Sequence, residues 1–199
     1  MRGTRLGPAH ATRDGTIMTP RVPHTILALS GSLKHSSVNS AVLRAAAAAG
    51  VRNGTFVAIG DSVRKLPHFD PDLEAAPPEA VLRFRAACER AAGVLLSVPE
   101  YAFGIPGSFK NALDWTVGSG SLYRKPVTLI NVAPPGRGQH VRAALELVFR
   151  ALDADVAYYA LPLAPSDRDA RGEVSDPRFI AELRAVVAEL VERATHRAR

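Results

Sequence analysis

Residues Ser30 to Asn39, SGSLKHSSVN, gather hydroxyls at Ser30, Ser32, Ser36 and Ser37, an amide at Asn39 and a cation at Lys34. Such donors suit a phosphate monoester, which accepts several charge-assisted hydrogen bonds at once. Before them, Ile26 to Leu29 make a continuous apolar run, as in a buried parallel strand. After them, Val38, Ala41, Val42, Ala45, Ala46 and Ala49 recur at helical spacing until Gly50 ends the pattern. A strand, a small polar loop and a helix turn free N–H groups and the positive end of the helix dipole toward an anion. The first reading is a phosphate-bearing cofactor. A plainer one keeps Ser37 as a helix N-cap and Lys34 as a solvated charge. The loop carries neither GxxxxGK[ST] nor GxGxxG, so it fits neither a triphosphate P-loop nor a dinucleotide fold.

The second chemical stretch is Pro99–Ile105, PEYAFGI, with rings at Tyr101 and Phe103 and a backbone kept close by Pro99 and Gly104. A flat heterocycle needs such a wall, plus backbone N–H and C=O groups for its edge. The alternative is that both rings only cover the end of a sheet. Acid–base and metal chemistry find less to use. The six histidines show no ligand spacing, and no nucleophile–base pair stands out. His35 reads as solvent-facing, with the phosphate as its alternative partner. Cys88 lies in the helical pattern RFRAACERAAG and reads as a small buried residue.

These groups need a frame, and the chain alternates strand and helix five times. Strands are expected at Ile26–Leu29, Thr55–Ile59, Gly93–Val98, Pro126–Val132 and Ala154–Ala160. Helices are expected after the first loop, over Glu79–Ala92, from Pro106 to about Val117, over Val141–Leu152, and behind a cap at Ser175 or Asp176. Asp61 to Pro78, with four prolines, reads as a long loop over the surface. Five such units imply an α/β fold with a doubly wound parallel sheet and helices on both faces. In strand order 2-1-3-4-5, the loops after the first and third strands meet at the carboxyl edge, where ligands bind.

The 199 residues suit one domain, expected over residues 22–196. The net charge of +6 resembles a nucleic-acid signal until it is located. Arg2, Arg5, Arg13 and Arg21 against Asp14 leave three positive charges in residues 1–21, and Arg193, Arg197 and Arg199 add three more. The body between holds 18 basic and 18 acidic residues, so a nucleic-acid face is not expected. Residues 1–21 read as a disordered extension, with a transit peptide or a true start at Met18 as alternatives. No apolar run reaches the roughly 20 residues of a membrane span. A single cysteine excludes an intramolecular disulfide and a multi-cysteine metal site, and points to the cytoplasm.

The segments GSLKHSSVN, PEYAFGIPGSFKNALDW and KPVTLINVAPPGRG together resemble the NADPH-dependent FMN reductase family over roughly Thr25 to Leu163. The resemblance implies a flavodoxin-like three-layer sandwich with a five-stranded parallel sheet, bound FMN, and NADPH or NADH as reductant. It places the FMN phosphate at Ser32, Lys34, Ser37 and Asn39, and the isoalloxazine along Pro99, Glu100 and Tyr101. Ala102, Phe103, Gly104 and Gly136 complete the expected cofactor set. The chain departs from the family where Lys34 stands for a usual Arg and Ala102 for a frequent Asn. Lys34 keeps the charge but not bidentate phosphate recognition. In the third loop Ala133, Pro134 and Pro135 replace a typical small hydroxyl, while Gly136 and Gly138 match.

The function implied is ping-pong hydride transfer from NAD(P)H through FMN to a quinone, flavin, azo or similar small acceptor. Flavin carries that chemistry, so no catalytic side chain and no metal is required. Glu100 is expected to contact the flavin through its backbone, its side chain either tuning the flavin potential or facing solvent and capping a loop. A flavodoxin-like flavin-binding or electron-carrier protein is the other class, argued against by the neutral body. On the helix after Pro106, Phe109, Leu113 and Val117 fall in one row expected to pack on the sheet. Trp115 falls about 160° from Leu113 and is expected to face outward as an interface anchor. A homodimer or tetramer follows from that expectation and from the resemblance.

Overall fold

The computed structural model describes residues 25–52, 56–60 and 62–197. The expected extension over residues 1–21, with its alternative start at Met18, lies outside the described residues. Five strands form one sheet: β1 (Thr25–Ser30), β2 (Phe56–Gly60), β3 (Gly93–Ser97), β4 (Pro126–Asn131) and β5 (Asp155–Ala160). Their order is β2-β1-β3-β4-β5, with every neighbouring pair parallel. Helices α1 (Val38–Arg52), α2 (Glu79–Arg90), α3 (Gly107–Val117), α4 (Gln139–Ala151) and α5 (Pro177–Arg197) make the crossovers and close the chain.

The side-chain period of two sorts the apolar residues of the central strands onto two faces. Ile26, Ala28, Leu95 and Ile130 pack with Val42, Leu43 and Ala46 of α1 and with Leu183, Val187 and Leu190 of α5. Leu27, Leu29, Leu96 and Leu129 pack on the other side with Phe84 of α2, Phe109 and Leu113 of α3, and Leu145 and Phe149 of α4. Burying each of the Val, Leu, Ile and Phe side chains among them stabilises the fold by about 1.5–3 kcal/mol. This is why β3, at the centre, is buried at every position, whereas β5 at the edge is only half-buried. Register brings Ser30, Ser97 and Ile130 side by side at the carboxyl edge.

Helix α3 corrects two expectations. Phe109 and Leu113 face the sheet, but Val117, expected in their row, is 60% exposed at the last helical residue. Trp115, expected outside, is fully buried. It does point away from Leu113, and its cover comes from the same chain. The indole N–H donates to the Pro67 carbonyl at 2.9 Å, and the Phe69 ring meets it edge-on at 5.0 Å. Asn111, one turn back, donates to the same carbonyl and accepts from Phe69 N at 2.7 Å. Arg85 binds the Trp115 carbonyl at 2.6 Å and both Glu74 carboxylate oxygens at 2.8 Å. The proline-rich loop therefore runs over the surface as expected, yet sends Pro67 and Phe69 onto α3. Helical spacing tells which way a side chain leaves its own helix, not what a distant loop lays over it.

Candidate functional site

At the end of β1, Gly31 N donates to Ser97 O at 2.9 Å, drawing the loop against β3. A Cβ at Gly31 would lie 2.6 Å from Val98 Cγ1, so only glycine allows this approach. Ser30 Oγ accepts from Ser32 N at 3.1 Å and donates to Ser32 O, and Ser32 Oγ accepts from Lys34 N at 3.3 Å. These two serines shape the loop. Ser37 stands at the N-cap of α1, its carbonyl accepting from Ala41 N at 3.0 Å. The residue is only 5% exposed, and its hydroxyl makes no hydrogen bond among the described residues. The N–H groups of Val38, Asn39 and Ser40 likewise have none among the described residues, as first-turn geometry dictates. Asn39 Oδ1 accepts from Ser97 Oγ at 2.9 Å, which leaves its Nδ2 as a further free donor. Lys34 and His35 are exposed on the same loop.

The loop after β3 folds into a tight turn. Tyr101 and Gly104 exchange both backbone hydrogen bonds, at 3.1 and 2.9 Å, across Ala102 and Phe103. Both central residues hold positive φ, 49° and 58°. That is the pattern of a type I′ turn, which favours Asn and Gly rather than Ala and Phe. The turn leaves Tyr101 53% and Phe103 77% exposed. Phe103 meets His140 edge-on with ring centres 5.0 Å apart.

Glu100 ties this turn to α4. That helix has Gly138 at its N-cap and no capping side chain of its own. Glu100 Oε2 accepts instead from His140 N at 2.9 Å and Val141 N at 3.1 Å. A carboxylate is favourable there because it meets unpaired donors and the positive end of the helix dipole. The carboxylate therefore caps α4, while the residue also lines the cleft between the site loops.

Asn131, at the end of β4, organises the third loop. Its Nδ2 donates to Arg137 O at 2.9 Å and its Oδ1 accepts from Ala133 N at 3.0 Å. A cleft of about 380 Å³ opens between the three loops, lined among others by Val38, Asn39, Val98, Pro99, Glu100 and Asn131. Such a volume lies within the ~300–1,000 Å³ of small-molecule sites.

The profile of the NADPH-dependent FMN reductase family matches residues 24–164. The chain belongs to that family. A quinone reductase of Pseudomonas putida is 35% identical over 121 residues, covering 58% of this chain and 63% of that protein. The chain thus aligns with a little under two thirds of that curated relative. A probable NADPH:quinone oxidoreductase 2 of Oryza sativa subsp. japonica is 28% identical over 83% of this chain and 86% of its own length. Among solved structures, the flavoenzyme FerB, an NAD(P)H:(acceptor) oxidoreductase of Paracoccus denitrificans, superposes with a TM-score of 0.71 at 26% identity. That match covers 87% of this chain and 98% of FerB.

Within this family member, the residues expected from sequence fall at two depths. Asn39, Pro99 and Glu100 line the cleft itself. Ser32, Ser37 and Lys34 lie on the loop that leads into α1, and Tyr101 to Gly104 form the turn beside it. Gly136 is exposed on the third loop with φ 79°, two residues before the cleft-lining Gly138. Sequence reading missed Asn131, Arg137 and Leu163 as lining residues. Each follows or ends a strand at the carboxyl edge, and Asn131 and Arg137 lie in the third segment that carries the family resemblance.

Proposed function

We propose that the cleft holds FMN and that the chain is an NAD(P)H-dependent oxidoreductase acting on a quinone, flavin, azo or similar small acceptor. One observation carries the reading. The unpaired donors of the first turn of α1, with Ser37 Oγ and Asn39 Nδ2, adjoin a cleft with apolar walls at Val38, Val98 and Val132. A phosphate monoester joined to a flat ring system matches a polar cradle beside an apolar slot. The donor set therefore fits FMN.

Ser37, Asn39 and the N–H groups of Val38 to Ser40 would hold the phosphate, with Lys34 adding charge. Pro99 to Gly104 would lie along the ring system and keep water from one side of it. Bound FMN supplies two-electron chemistry, taking hydride from a nicotinamide and delivering it to an acceptor. No side chain is assigned a proton-transfer role. Glu100 orients the wall by holding it to α4.

The flavodoxin-like sandwich is proposed as one domain over residues 22–196, supported by the packing of all five α-helices on one sheet. The single cysteine is buried, which suits a reducing cytoplasmic setting. A homodimer or tetramer is proposed without Trp115 as its anchor. Exposed Leu33, Tyr101 and Phe103 at the site loops support an apolar contact there. The test is the visible spectrum of the purified protein, followed by NADPH or NADH under anaerobic conditions. Bleaching of bound FMN supports the reductase. FMN inert to both nucleotides makes the chain a flavin-binding or carrier protein.

A further inference from the structure

Pro134, Pro135, Gly136 and Arg137 form a turn closed by Arg137 N donating to Pro134 O at 3.1 Å, with φ 79° at Gly136. Proline at the second position and glycine at the third is the signature of a type II turn, which needs positive φ there. Asn131 Nδ2 holds the Arg137 carbonyl from below at 2.9 Å. A Cβ on Gly138 would lie 2.5 Å from that same nitrogen, so the next residue is packed as tightly. The backbone beneath Arg137 is thus pinned on both sides, while its side chain is exposed and lines the cleft.

Glu100 lines the same cleft, yet its Oε2 is engaged by the N–H groups of His140 and Val141. Arg137 has no carboxylate partner among the described residues. A guanidinium on a fixed turn at a cleft mouth, left unpaired beside an engaged carboxylate, is built for an anion. The FMN phosphate is already assigned to the loop after β1, on a different strand end. A pyridine dinucleotide brings further anionic groups, its pyrophosphate and, in NADPH, a 2′-phosphate.

We propose that Arg137 receives a phosphate of the incoming pyridine dinucleotide and sets reductant affinity. This rests on the FMN reductase reading and adds a residue to it. Wild type, Arg137→Ala and Arg137→Lys are compared as FMN-loaded proteins. Flavin content is measured from absorbance, 2′,5′-ADP and 5′-ADP binding by calorimetry, and KM and kcat with NADPH and NADH. Arg137→Ala is expected to raise KM and weaken analogue binding at least about tenfold, with kcat within about twofold. Arg137→Lys should recover part of the loss. A loss confined to NADPH and 2′,5′-ADP identifies the 2′-phosphate, and a loss shared by NADH and 5′-ADP identifies the pyrophosphate.

Unchanged KM and analogue affinity overturn the proposal. So does loss of flavin from Arg137→Ala, which would make the arginine a ligand of FMN. Wild-type protein that holds no flavin, or oxidises neither nucleotide, overturns the underlying reading. The calorimetry then still decides whether Arg137 binds a nucleotide phosphate.

Discussion

Ser97 Oγ donates to Asn39 Oδ1 at 2.9 Å, tying the last residue of β3 to the first turn of α1. The bond is buried, and it settles which end of the Asn39 amide is spent inside the protein. The donor end has no partner among the described residues. One contact thus joins the end of β3 to the start of α1 and orients the donors proposed to hold a phosphate.

The Ser37→Ala, Asn39→Ala double variant should lose FMN while remaining folded. Each hydrogen bond to a charged phosphate contributes roughly 1.5–3 kcal/mol, so two should weaken binding on the order of a hundredfold or more. Asn39→Ala alone should also cost about 1–3 kcal/mol of stability, because it strands the Ser97 hydroxyl in the interior. Flavin retained after dialysis and urea melts measure the two effects. Unchanged flavin occupancy would remove this loop from the site.

Ala102→Asn should stabilise the protein by about 1 kcal/mol, since the left-handed region costs an ordinary L-residue roughly 1–2 kcal/mol and Asn tolerates it better. The φ of 49° at Ala102 is the source of that strain. Flavin retention should not fall. A lower thermal midpoint in the variant would show that the turn is unstrained as it stands.

Trp115→Ala should cost about 3–5 kcal/mol, the range for emptying a large buried aromatic site. Trp115→Phe should lose much less, because Asn111 Nδ2 still donates to the Pro67 carbonyl. Neither variant should change the mass of the folded protein in light scattering, since Phe69, Pro67 and Arg85 cover the indole within one chain. A shift toward monomer with intact stability would restore the interface role.

Burial pushes the Cys88 thiol up to about 12, from 9.0. Above pH 9 the unfolded chain releases this proton while the native chain keeps it, so native stability falls as pH rises toward 12. The slope approaches about 1.4 kcal/mol per pH unit. Neighbouring Lys125 is lowered, first by burial and then by Arg197, and titrates in the opposite sense. The comparison of wild type with Cys88→Ala isolates the thiol: the stability difference should shift steadily against wild type above pH 9. A constant difference up to pH 10.5 (an order-of-magnitude span of about one unit beyond the unfolded value) would contradict it.

The strand–helix alternation, the parallel α/β fold and the loops after β1 and β3 were legible in the residues themselves, and the loop after β4 through the family resemblance. Apolar runs and helical periods are local properties, and a parallel sheet constrains its ligand to the carboxyl edge. Pro106 to Leu113 behaved as its spacing required, with Phe109 and Leu113 on the sheet. Trp115 did not, because its cover is a loop some 48 positions away whose path no local pattern encodes. The same holds for Glu100. Its residue type was visible, but its partners, the N–H groups of His140 and Val141, lie 40 and 41 positions further on. Asn131 and Arg137 joined the cleft only when β4 took its place beside β3. Sequence by itself determined which segments become elements and which donors a phosphate would need. Tertiary structure alone decided which of those donors remain free, because hydrogen-bond partners are assigned by distance in space and not by distance along the chain.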